Sequence, residues 1–340
     1  MIGHLRECPE VTGVVAYDPD PARLQNFEGD VLVRGTSQMD EILSDSSLTL
    51  VFITAPNHAH KDLAIAALKA GKAVMCEKPM ANEFGDALAI VAAAEQENEF
   101  LQIGFELRYS KLYVQVKKWI EAGSLGEIIN SNCTYLASAW PKGEWRNTQA
   151  GGGSMFGEKL SHYVDLPRWW IDSPVSSIYA TCAPNVIPYL EMHDNYHATY
   201  RFENGAVSHL TFIMGAASTF QGDPLQNVVS QQTGDGHALR YLVVGTKGAA
   251  EADVFNRSIK RWEFGDSPEY FTSTLTETLS WDSSEDHAYF HNTFDQTHDI
   301  VRRVKQGLPP SIAPRDALET TRLCFAADES VQSGAAVNLA

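Results

Sequence analysis

The stretch LTLVFITAPNHAHKDLAIAALKAGKAVMCEKPMA (Leu48–Ala81) predicts how the first part of the chain folds. Its first nine residues are mostly apolar, which is typical of a strand buried on both faces of a sheet. An Ala-rich helical pattern follows and ends at Gly71, and a second apolar run, AVMCE, comes next. A strand, a helix and a strand in this order predict two parallel strands joined by a crossover helix.

The same alternation continues on both sides of this stretch. The other strand-like runs are GVVAY (13–17), VLV (31–33) and FLQIGF (100–105), and the other helical patterns are SQMDEILSD (37–45) and DALAIVAAAEQEN (86–98). Ser37 and Asp40 match an S-x-x-D capping box at the start of the first of these helices. The sequence therefore predicts an α/β domain with a doubly wound parallel sheet, whose ligand site lies beyond the carboxyl ends of the strands.

The second half predicts a different architecture. In YHATYRF (196–202) apolar residues alternate with His197, Thr199 and Arg201, and Asn204-Gly205 is a hairpin signal. These patterns favour a large, mostly antiparallel sheet. We expect two domains, 1–105 and 106–340, and we expect a homo-oligomer (dimer or tetramer), because a broad exposed sheet face must be covered.

Composition excludes several classes of partner. The 340 residues carry a formal net charge of -17, which disfavours nucleic acid and anionic membranes. Five cysteines without a C-x-x-C pair indicate neither a disulfide framework nor a zinc ribbon, and they suit a reducing cytoplasm. No apolar run is long enough to span a bilayer.

Ionisable side chains are concentrated in two places. Glu77 and Lys78 follow the strand AVMC, and Pro79 disfavours a helical conformation at Lys78. In GGGSMFGEKLSHYVDLPRWW (151–170), Glu158, His162 and Asp165 have helical spacing and would share one face. A histidine held by a carboxylate is a suitable general base, a nearby lysine can stabilise a developing alkoxide, and the glycines allow close approach of a ligand.

Several motifs together resemble one known family. ITAPNHAHKDLAIAALKAGKAVMCEKP is similar to the strand, A-x-P-x-x-x-H loop, helix and E-K-P signature of the glucose-fructose oxidoreductase and inositol dehydrogenase (Gfo/Idh/MocA) family. GEKLSHYVDLPRWW resembles its D-x-x-x-H-x-x-D segment, and ADESVQSGAAVNL its closing helix. The resemblance covers nearly the whole chain and implies a Rossmann-like domain followed by an α+β domain.

The resemblance also implies a reaction. It implies an NAD-dependent dehydrogenase that transfers a hydride between the cofactor and a secondary hydroxyl of a sugar, inositol or related polyol. By matching motif positions, Lys78 would polarise the reacting oxygen, His162 would act as base, and Glu158 would stand where many members have aspartate.

The same comparison assigns residues to the ligands. The nicotinamide half of the cofactor would contact Pro56, Asn57, Glu77 and Pro79. Asp18 would bond the adenosine ribose and favour NAD over NADP, because a carboxylate repels a 2'-phosphate. Expected substrate contacts are Arg108, Trp145, Arg146 and Asp165, and Trp140 with Trp145 and Arg146 would form either a sugar-stacking wall or part of the core.

The chain departs from the family pattern at its start. The first strand and the G-x-G-x-x-G turn should precede MIGHLRECPEVTGVVAYD, so roughly fifteen residues are absent by comparison with the usual unit. We therefore expect Met1 to be a truncated or misassigned start. In the strand order 3-2-1-4-5-6 strand 1 is central, so its loss would divide the sheet into 3-2 and 4-5-6 with unpaired edges.

Other interpretations fit the same residues. Lys78 could be a surface lysine, and Glu158 with His162 could be an ordinary surface pair or two metal ligands, although no third ligand is evident and no metal is predicted. Transient oxidation at a sugar carbon could instead drive elimination or glycoside cleavage and return the cofactor. The missing glycine turn would suit a non-catalytic ligand sensor, although a sensor needs no acid-base pair.

Overall fold

The computed structural model of the protein describes residues 1–219 and 232–339. The chain forms two compact units: Met1–Gly104 with Thr293–Glu319, and Phe105–Asn292 with the residues from Thr320 onward. No helix within the described ranges combines the length and the apolar character that crossing a membrane requires.

The first unit alternates strands and helices. Its strands are β1 (Val14–Tyr17), β2 (Val33–Thr36), β3 (Leu50–Ile53), β4 (Ala73–Cys76) and β5 (Leu101–Ile103). The helices among them are α1 (Ile2–Arg6), α2 (Met39–Ser44), α3 (His60–Lys69) and α4 (Phe84–Glu97). The strand pairs β1·β2, β3·β4 and β4·β5 are all parallel, which confirms the predicted α/β domain.

The parallel strands form two separate sheets, β1-β2 and β3-β4-β5. This is the predicted division into 3-2 and 4-5-6. Strand β4 is buried along its whole length, whereas every residue of β1 is partly exposed and only Ile53 of β3 is buried. Leu5, Cys8 and Val301 form a small buried cluster against which residues of both sheets pack, among them Val14, Leu50 and Phe52.

One local prediction in this unit is wrong. Helix α2 begins at Met39, its N-cap is Gln38, and no side chain caps it. The Thr36 hydroxyl oxygen accepts the Gln38 N–H instead, at 3.1 Å. Ser37 therefore lies one residue too early for the predicted capping box, because a capping side chain must be on the N-cap residue itself.

The second unit is built on a large sheet. Its helices before residue 292 include α5 (Lys111–Glu121), α6 (Gln149–Gly152), α7 (Ser161–Ile171) and α8 (Asp286–Tyr289). Its strands are β6 (Ile128–Ala137), β7 (Val175–Thr181), β8 (Asn195–Phe202), β9 (Val207–Met214), β10 (Ala238–Gly245), β11 (Gly248–Asp253), β12 (Ser258–Asp266), β13 (Phe271–Ser280) and β14 (Val337–Asn338). Among the described strands the order is β13-β12-β11-β10-β6-β9-β8-β7-β14, and β6·β9 is the one parallel pair. The predicted mostly antiparallel sheet is confirmed.

The alternation in β8 decides which face of the sheet is buried. His197 and Arg201 are exposed and Thr199 is half-buried, while the alternate residues are buried in the core: Tyr196, Ala198, Tyr200 and Phe202. Gly205 adopts a φ of 88° in the β8–β9 turn, which glycine accommodates without strain. The predicted alternation and hairpin are both present.

The chain returns to the first unit near its end. Helix α9 (Thr293–Gln306) and the start of α10 (Pro314–Ser333) belong to the first unit, whereas the predicted boundary assigned 106–340 to one domain. Val301 of α9 is buried with Leu5, and the Ser311 N–H donates to Gln102 Oε1 at 2.9 Å. These contacts join residues about two hundred or more positions apart, which a reading of local pattern does not detect.

One acidic side chain of α10 is half-buried in the second unit, with one carboxylate oxygen inaccessible to water. Asp328 is close to the phenols of Tyr196 and Tyr200, and its Oδ2 is buried with no hydrogen-bond partner among the described residues. Burial raises the pKa of Asp328 to about 7, although a hydrogen bond with Ser154 opposes the shift. The folded state therefore favours the protonated acid.

We expect the unpaired edges of β1 and β3 to exchange amide hydrogens quickly. The Val14 N–H donates to the Leu32 carbonyl just before β2, and the Asp18 N–H donates to the Thr36 carbonyl of β2. Successive N–H groups of a strand point to opposite sides, so those of Val15 and Tyr17 face away from β2. In native-state hydrogen exchange these two should exchange at least about tenfold faster than Val74 of β4. Equal protection would show that the edge is covered in solution.

We expect Asp328→Asn to stabilise the protein at alkaline pH. Because the folded pKa lies above the unfolded value near 4, the folded state binds more protons between these values, and wild-type stability falls as pH rises through that window. Asparagine stays neutral, so the melting temperature at pH 8 should rise by at least about 2 °C, with a smaller gain at pH 5. Differential scanning fluorimetry across pH measures this, with the exposed neighbour Glu329→Gln as control; a pH-independent difference would contradict the assignment.

Candidate active site

Lys78 lies at the carboxyl end of β4, as the sequence predicts. The Glu77 N–H donates to the Ile53 carbonyl at 3.0 Å, so the pairing of β4 with β3 continues one residue past Cys76. Lys78 is half-buried and follows directly from this paired residue. Its backbone position is therefore set by a fully buried strand.

His60 joins the two loops that the sequence assigns to the cofactor. Its Nδ1 is 2.8 Å from the Pro79 carbonyl oxygen, its Nε2 is 2.9 Å from the Ala55 carbonyl oxygen, and its side chain is fully buried. Carbonyl oxygens only accept, so both contacts are hydrogen bonds when both ring nitrogens carry protons. His60 is the histidine of the A-x-P-x-x-x-H loop, and the sequence analysis gave it no role of its own.

The loops joined by His60 carry most of the expected nicotinamide contacts. Asn57 is buried, while Pro56 beside it is exposed. Glu77 lies over Gly104, where an added Cβ would come within 2.7 Å of Glu77 Oε2 and 3.0 Å of Met75 Cε. Glycine at 104 therefore leaves the space that the Glu77 side chain uses.

Asp18 lies in the smaller sheet, directly after β1. Its Oδ1 accepts the Asp20 N–H at 2.9 Å, and its Oδ2 is 3.6 Å from Arg23 Nη1. Arg23 is a residue that the sequence analysis missed, because it lies five positions further along the chain. The carboxylate of Asp18 is 27% exposed and so can accept bonds from ribose hydroxyls.

The chemistry of these groups fits the two ends of a nicotinamide dinucleotide. A carboxylate after β1 suits the adenosine ribose, and the His60-linked loops suit the nicotinamide half. The 340 residues contain no G-x-G-x-x-G segment.

In the second unit the predicted helix begins later than expected. Residues Phe156–Leu160 form a π-helical turn, and α7 starts at Ser161. Glu158 therefore lies on the π turn, and the α-helical spacing used to predict one common face does not apply across it. The three residues Glu158, His162 and Asp165 each have a different ionic neighbour.

The structure places the carboxylate of Glu106 beside His162. Glu106 Oε1 is 3.3 Å from His162 Nε2 and 2.7 Å from His291 Nδ1. Burial raises the pKa of Glu106, but its interactions with His162 and His291 outweigh burial and hold the pKa well below its usual value. Sequence reasoning missed Glu106 and left His291 unassigned, since neither lies near His162 in the chain.

Glu158 lies near the cationic side chain of Arg146. Its Oε1 is 3.9 Å from Arg146 Nη1, and Arg146 Nε is 3.2 Å from Glu144 Oε2. Within residues 1–219 and 232–339 no three His, Cys, Asp or Glu side chains are arranged to hold a metal ion.

Two of the expected substrate contacts bind each other. Arg108 Nε and Nη2 donate to Asp165 Oδ2 and Oδ1, both at 2.7 Å, and Thr320 donates to Oδ1 at 2.8 Å. The side chains of Arg108 and Asp165 are 10% and 2% exposed. This bidentate pair holds the 3₁₀ turn Glu106–Tyr109 against α7.

The aromatic segment before α7 has an arginine at its centre. The Arg146 guanidinium lies 5.5 Å from the Trp140 ring and 5.4 Å from the Trp145 ring. Trp145 is 38% exposed, whereas Trp140 packs partly against the core. The nearby glycines approach the chain itself: an added Cβ at Gly151 would clash with the Trp145 carbonyl oxygen, and one at Gly152 would lie 2.8 Å from that of Arg146. At these two glycines the absence of a side chain therefore allows two stretches of backbone to pack closely.

Curated relatives align with part of this chain. Levoglucosan dehydrogenase of Pseudarthrobacter phenanthrenivorans is 34% identical over 173 residues, which are 48% of this chain and 43% of that protein. Inositol 2-dehydrogenase of Salmonella paratyphi B is 37% identical over 141 residues, 41% of this chain and 40% of that protein. Each alignment therefore spans less than half the length of the relative.

Solved structures share the fold over nearly the whole chain. Levoglucosan dehydrogenase in complex with NADH and levoglucosan has a TM-score of 0.79 at 22% identity, covering 96% of this chain and 90% of that one. An oxidoreductase domain protein from Kribbella flavida has a TM-score of 0.80 at 20% identity, covering 99% and 95%. These likenesses confirm the Rossmann-like domain followed by an α+β domain.

Family models match both parts of the sequence. Residues 3–105 match the model described as an oxidoreductase family with an NAD-binding Rossmann fold. Residues 113–251 match the model of the GFO/IDH/MocA C-terminal domain. The two models follow each other in the expected order and together cover most of the sequence, and the chain belongs to the Gfo/Idh/MocA family of oxidoreductases.

Proposed function

We propose that the protein is an NAD-dependent oxidoreductase acting on a secondary hydroxyl of a sugar, inositol or related polyol. The observation that carries the proposal is the match of residues 3–105 to an NAD-binding oxidoreductase model, with Lys78 at the carboxyl end of β4. The partial alignments with levoglucosan and inositol dehydrogenases support this class of substrate. When bound, the cofactor would supply a hydride acceptor.

Side chains of the protein would accept the proton of the substrate hydroxyl and stabilise its oxygen. In oxidation, His162 accepts the hydroxyl proton while the C–H hydride leaves, and the product is a carbonyl. Lys78 donates a hydrogen bond to the reacting oxygen and stabilises its developing negative charge. Glu158, whose carboxylate lies near Arg146, would take the catalytic position that aspartate has in many family members, four residues before His162.

The cofactor would be held at two places. Pro56, Asn57, Glu77 and Pro79 would contact its nicotinamide half, supported by the bridge that His60 makes between their loops. Asp18 would bond the ribose hydroxyls and favour NAD over NADP.

The substrate would meet a rigid surface. The buried Arg108–Asp165 pair would present fixed polar groups, and the exposed face of Trp145 would pack on the apolar side of a sugar ring, with Arg146 beside it. Substrate orientation would then depend on groups that are already held by the fold.

We also propose a homo-oligomer in a reducing cytoplasm. The edge strand β13 and its preceding turn expose Tyr270, Phe271 and Leu275, an apolar surface of the kind that subunit contacts cover. The cysteines of the chain, all within the described residues, are free thiols.

We expect Lys78→Met and His162→Gln each to lower kcat by at least about a hundredfold, because they remove the oxyanion donor and the base. NADH formation is followed by absorbance with myo-inositol, levoglucosan and D-glucose as trial substrates, and NADH affinity by calorimetry. The control Lys69→Met changes an exposed lysine of α3 and should behave as wild type. Binding of NADH without turnover of any hydroxyl compound would favour a sensor, and product without net NADH would favour the elimination route.

We expect Asp18→Ser to shift cofactor preference toward NADP. Removing the carboxylate removes repulsion of a 2'-phosphate and leaves Arg23 close to that position. The ratio of kcat/KM for NAD to that for NADP should fall by about tenfold or more. Asp40→Ser is the matched control, since Asp40 is an exposed carboxylate on α2 of the same unit. An unchanged ratio in Asp18→Ser would remove Asp18 from the cofactor site.

A further inference from the structure

A buried carboxylate lies between two histidines in the second unit. Glu106 Oε1 is shared by His162 Nε2, at 3.3 Å, and His291 Nδ1, at 2.7 Å. We propose that Glu106 is the positioning residue of His162, and that His291 holds Glu106 in place and moderates its charge. This inference rests on the proposed function for the role of His162 as base.

The three side chains differ in their access to water. The His162 and Glu106 side chains are 4% and 9% exposed, whereas that of His291 is 44% exposed. Electrostatic interactions are strongest where water is excluded, so the charge of Glu106 acts mainly on His162. His291 forms the boundary between this pair and solvent.

The surrounding fold holds Glu106 and His291 together. Glu106 opens the 3₁₀ turn Glu106–Tyr109, and Asn292 Nδ2 donates to the Tyr109 carbonyl at 3.1 Å. The Ser110 hydroxyl donates to the Tyr289 carbonyl. The residues on both sides of His291 are therefore bonded to the end of the turn that Glu106 begins.

His162 is oriented from other sides as well. The Phe105 ring meets the imidazole edge to face, with ring centroids 5.8 Å apart. Among the described residues, the titratable neighbours of His162 include Glu106, His291 and Tyr163. Burial raises the pKa of Tyr163 well above its usual value, so this phenol stays neutral. Further along α7, Asp165 is paired with Arg108.

The ionised form of Glu106 is the one that the network favours. Burial alone would raise its pKa, but the two histidines lower it overall. An ionised carboxylate beside His162 favours the imidazolium that forms when the base takes a proton, and it fixes the ring. A carboxylate shared with His291 is less available to His162, so His291 should weaken this effect.

The two substitutions should therefore move His162 in opposite directions. Glu106→Gln keeps the size of the side chain but removes the charge, so the pKa of His162 should fall by about one unit or more. His291→Ala removes the competing donor, so the pKa of His162 should rise. A residue with a merely structural role would not give shifts of opposite sign.

The first measurement is an NMR titration of the histidine ring carbons of the full chain without cofactor, with His162→Gln used to assign the signal. Glu121→Gln, an exposed carboxylate of the same unit, is the matched control. Glu106→Asp keeps the charge but shortens the side chain, and it should retain part of the shift if Glu106→Gln does not fold. An unchanged titration of His162 in Glu106→Gln overturns the proposal, as does a shift of the same sign in His291→Ala.

The second measurement is the pH profile of kcat/KM for oxidation. In Glu106→Gln the acid limb of this profile should move to lower pH by the same amount as the pKa of His162 measured by NMR. The plateau value of kcat/KM should be at least about tenfold lower than in the wild type. An acid limb that stays in place while the NMR titration moves overturns the positioning role. If the wild type oxidises no polyol and the NMR shifts are still of opposite sign, the proposed function fails while the pairing of Glu106 with His162 stands.

Discussion

The burial of β4 is the constraint on which the first unit depends. Its four residues, Ala73–Cys76, are nearly inaccessible, and the strand is paired on both sides, with β3 and with β5. A strand held in this way cannot shift its register without exposing apolar side chains. The residues that follow it, Glu77 and Lys78, therefore begin from a fixed point. The buried His60 ring links this loop to the neighbouring one, because its two nitrogens lie 2.8 Å from the Pro79 carbonyl oxygen and 2.9 Å from the Ala55 carbonyl oxygen.

The second unit relies on buried charges that have partners. Arg108 and Asp165 form two hydrogen bonds with each other, and Glu106 is shared by His162 and His291. Separating such a pair would leave a buried charge without a partner, which costs free energy. Each of these groups is therefore kept in position by its partner. Such pairs also give rigid geometry to the elements that carry them, which is what an acid-base site requires.

Local sequence patterns did not reveal which residues distant in the chain come into contact. The i,i+4 spacing predicted that Glu158 supports His162. The structure places Glu158 on a π turn and also brings Glu106, 56 positions away, to within 3.3 Å of His162. The capping box at Ser37 failed for a smaller reason, because helix α2 begins one residue later than its pattern indicates. Two of the glycines before α7, Gly151 and Gly152, lie close to the carbonyl oxygens of Trp145 and Arg146, which are contacts within the same segment that the spacing of the glycines did not predict.

The sequence by itself determined the alternation of strands and helices in the first part, the alternating strands of the large sheet, the division of the parallel sheet and the family. These follow from local periodicity and from motifs whose residues are neighbours in the chain. Only the tertiary structure decided that Thr293–Glu319 belongs to the first unit, that His60 bridges two loops and that Glu106 lies between two histidines. Those contacts arise because the burial of apolar surface brings distant segments together, and no local pattern specifies which polar groups meet when it does.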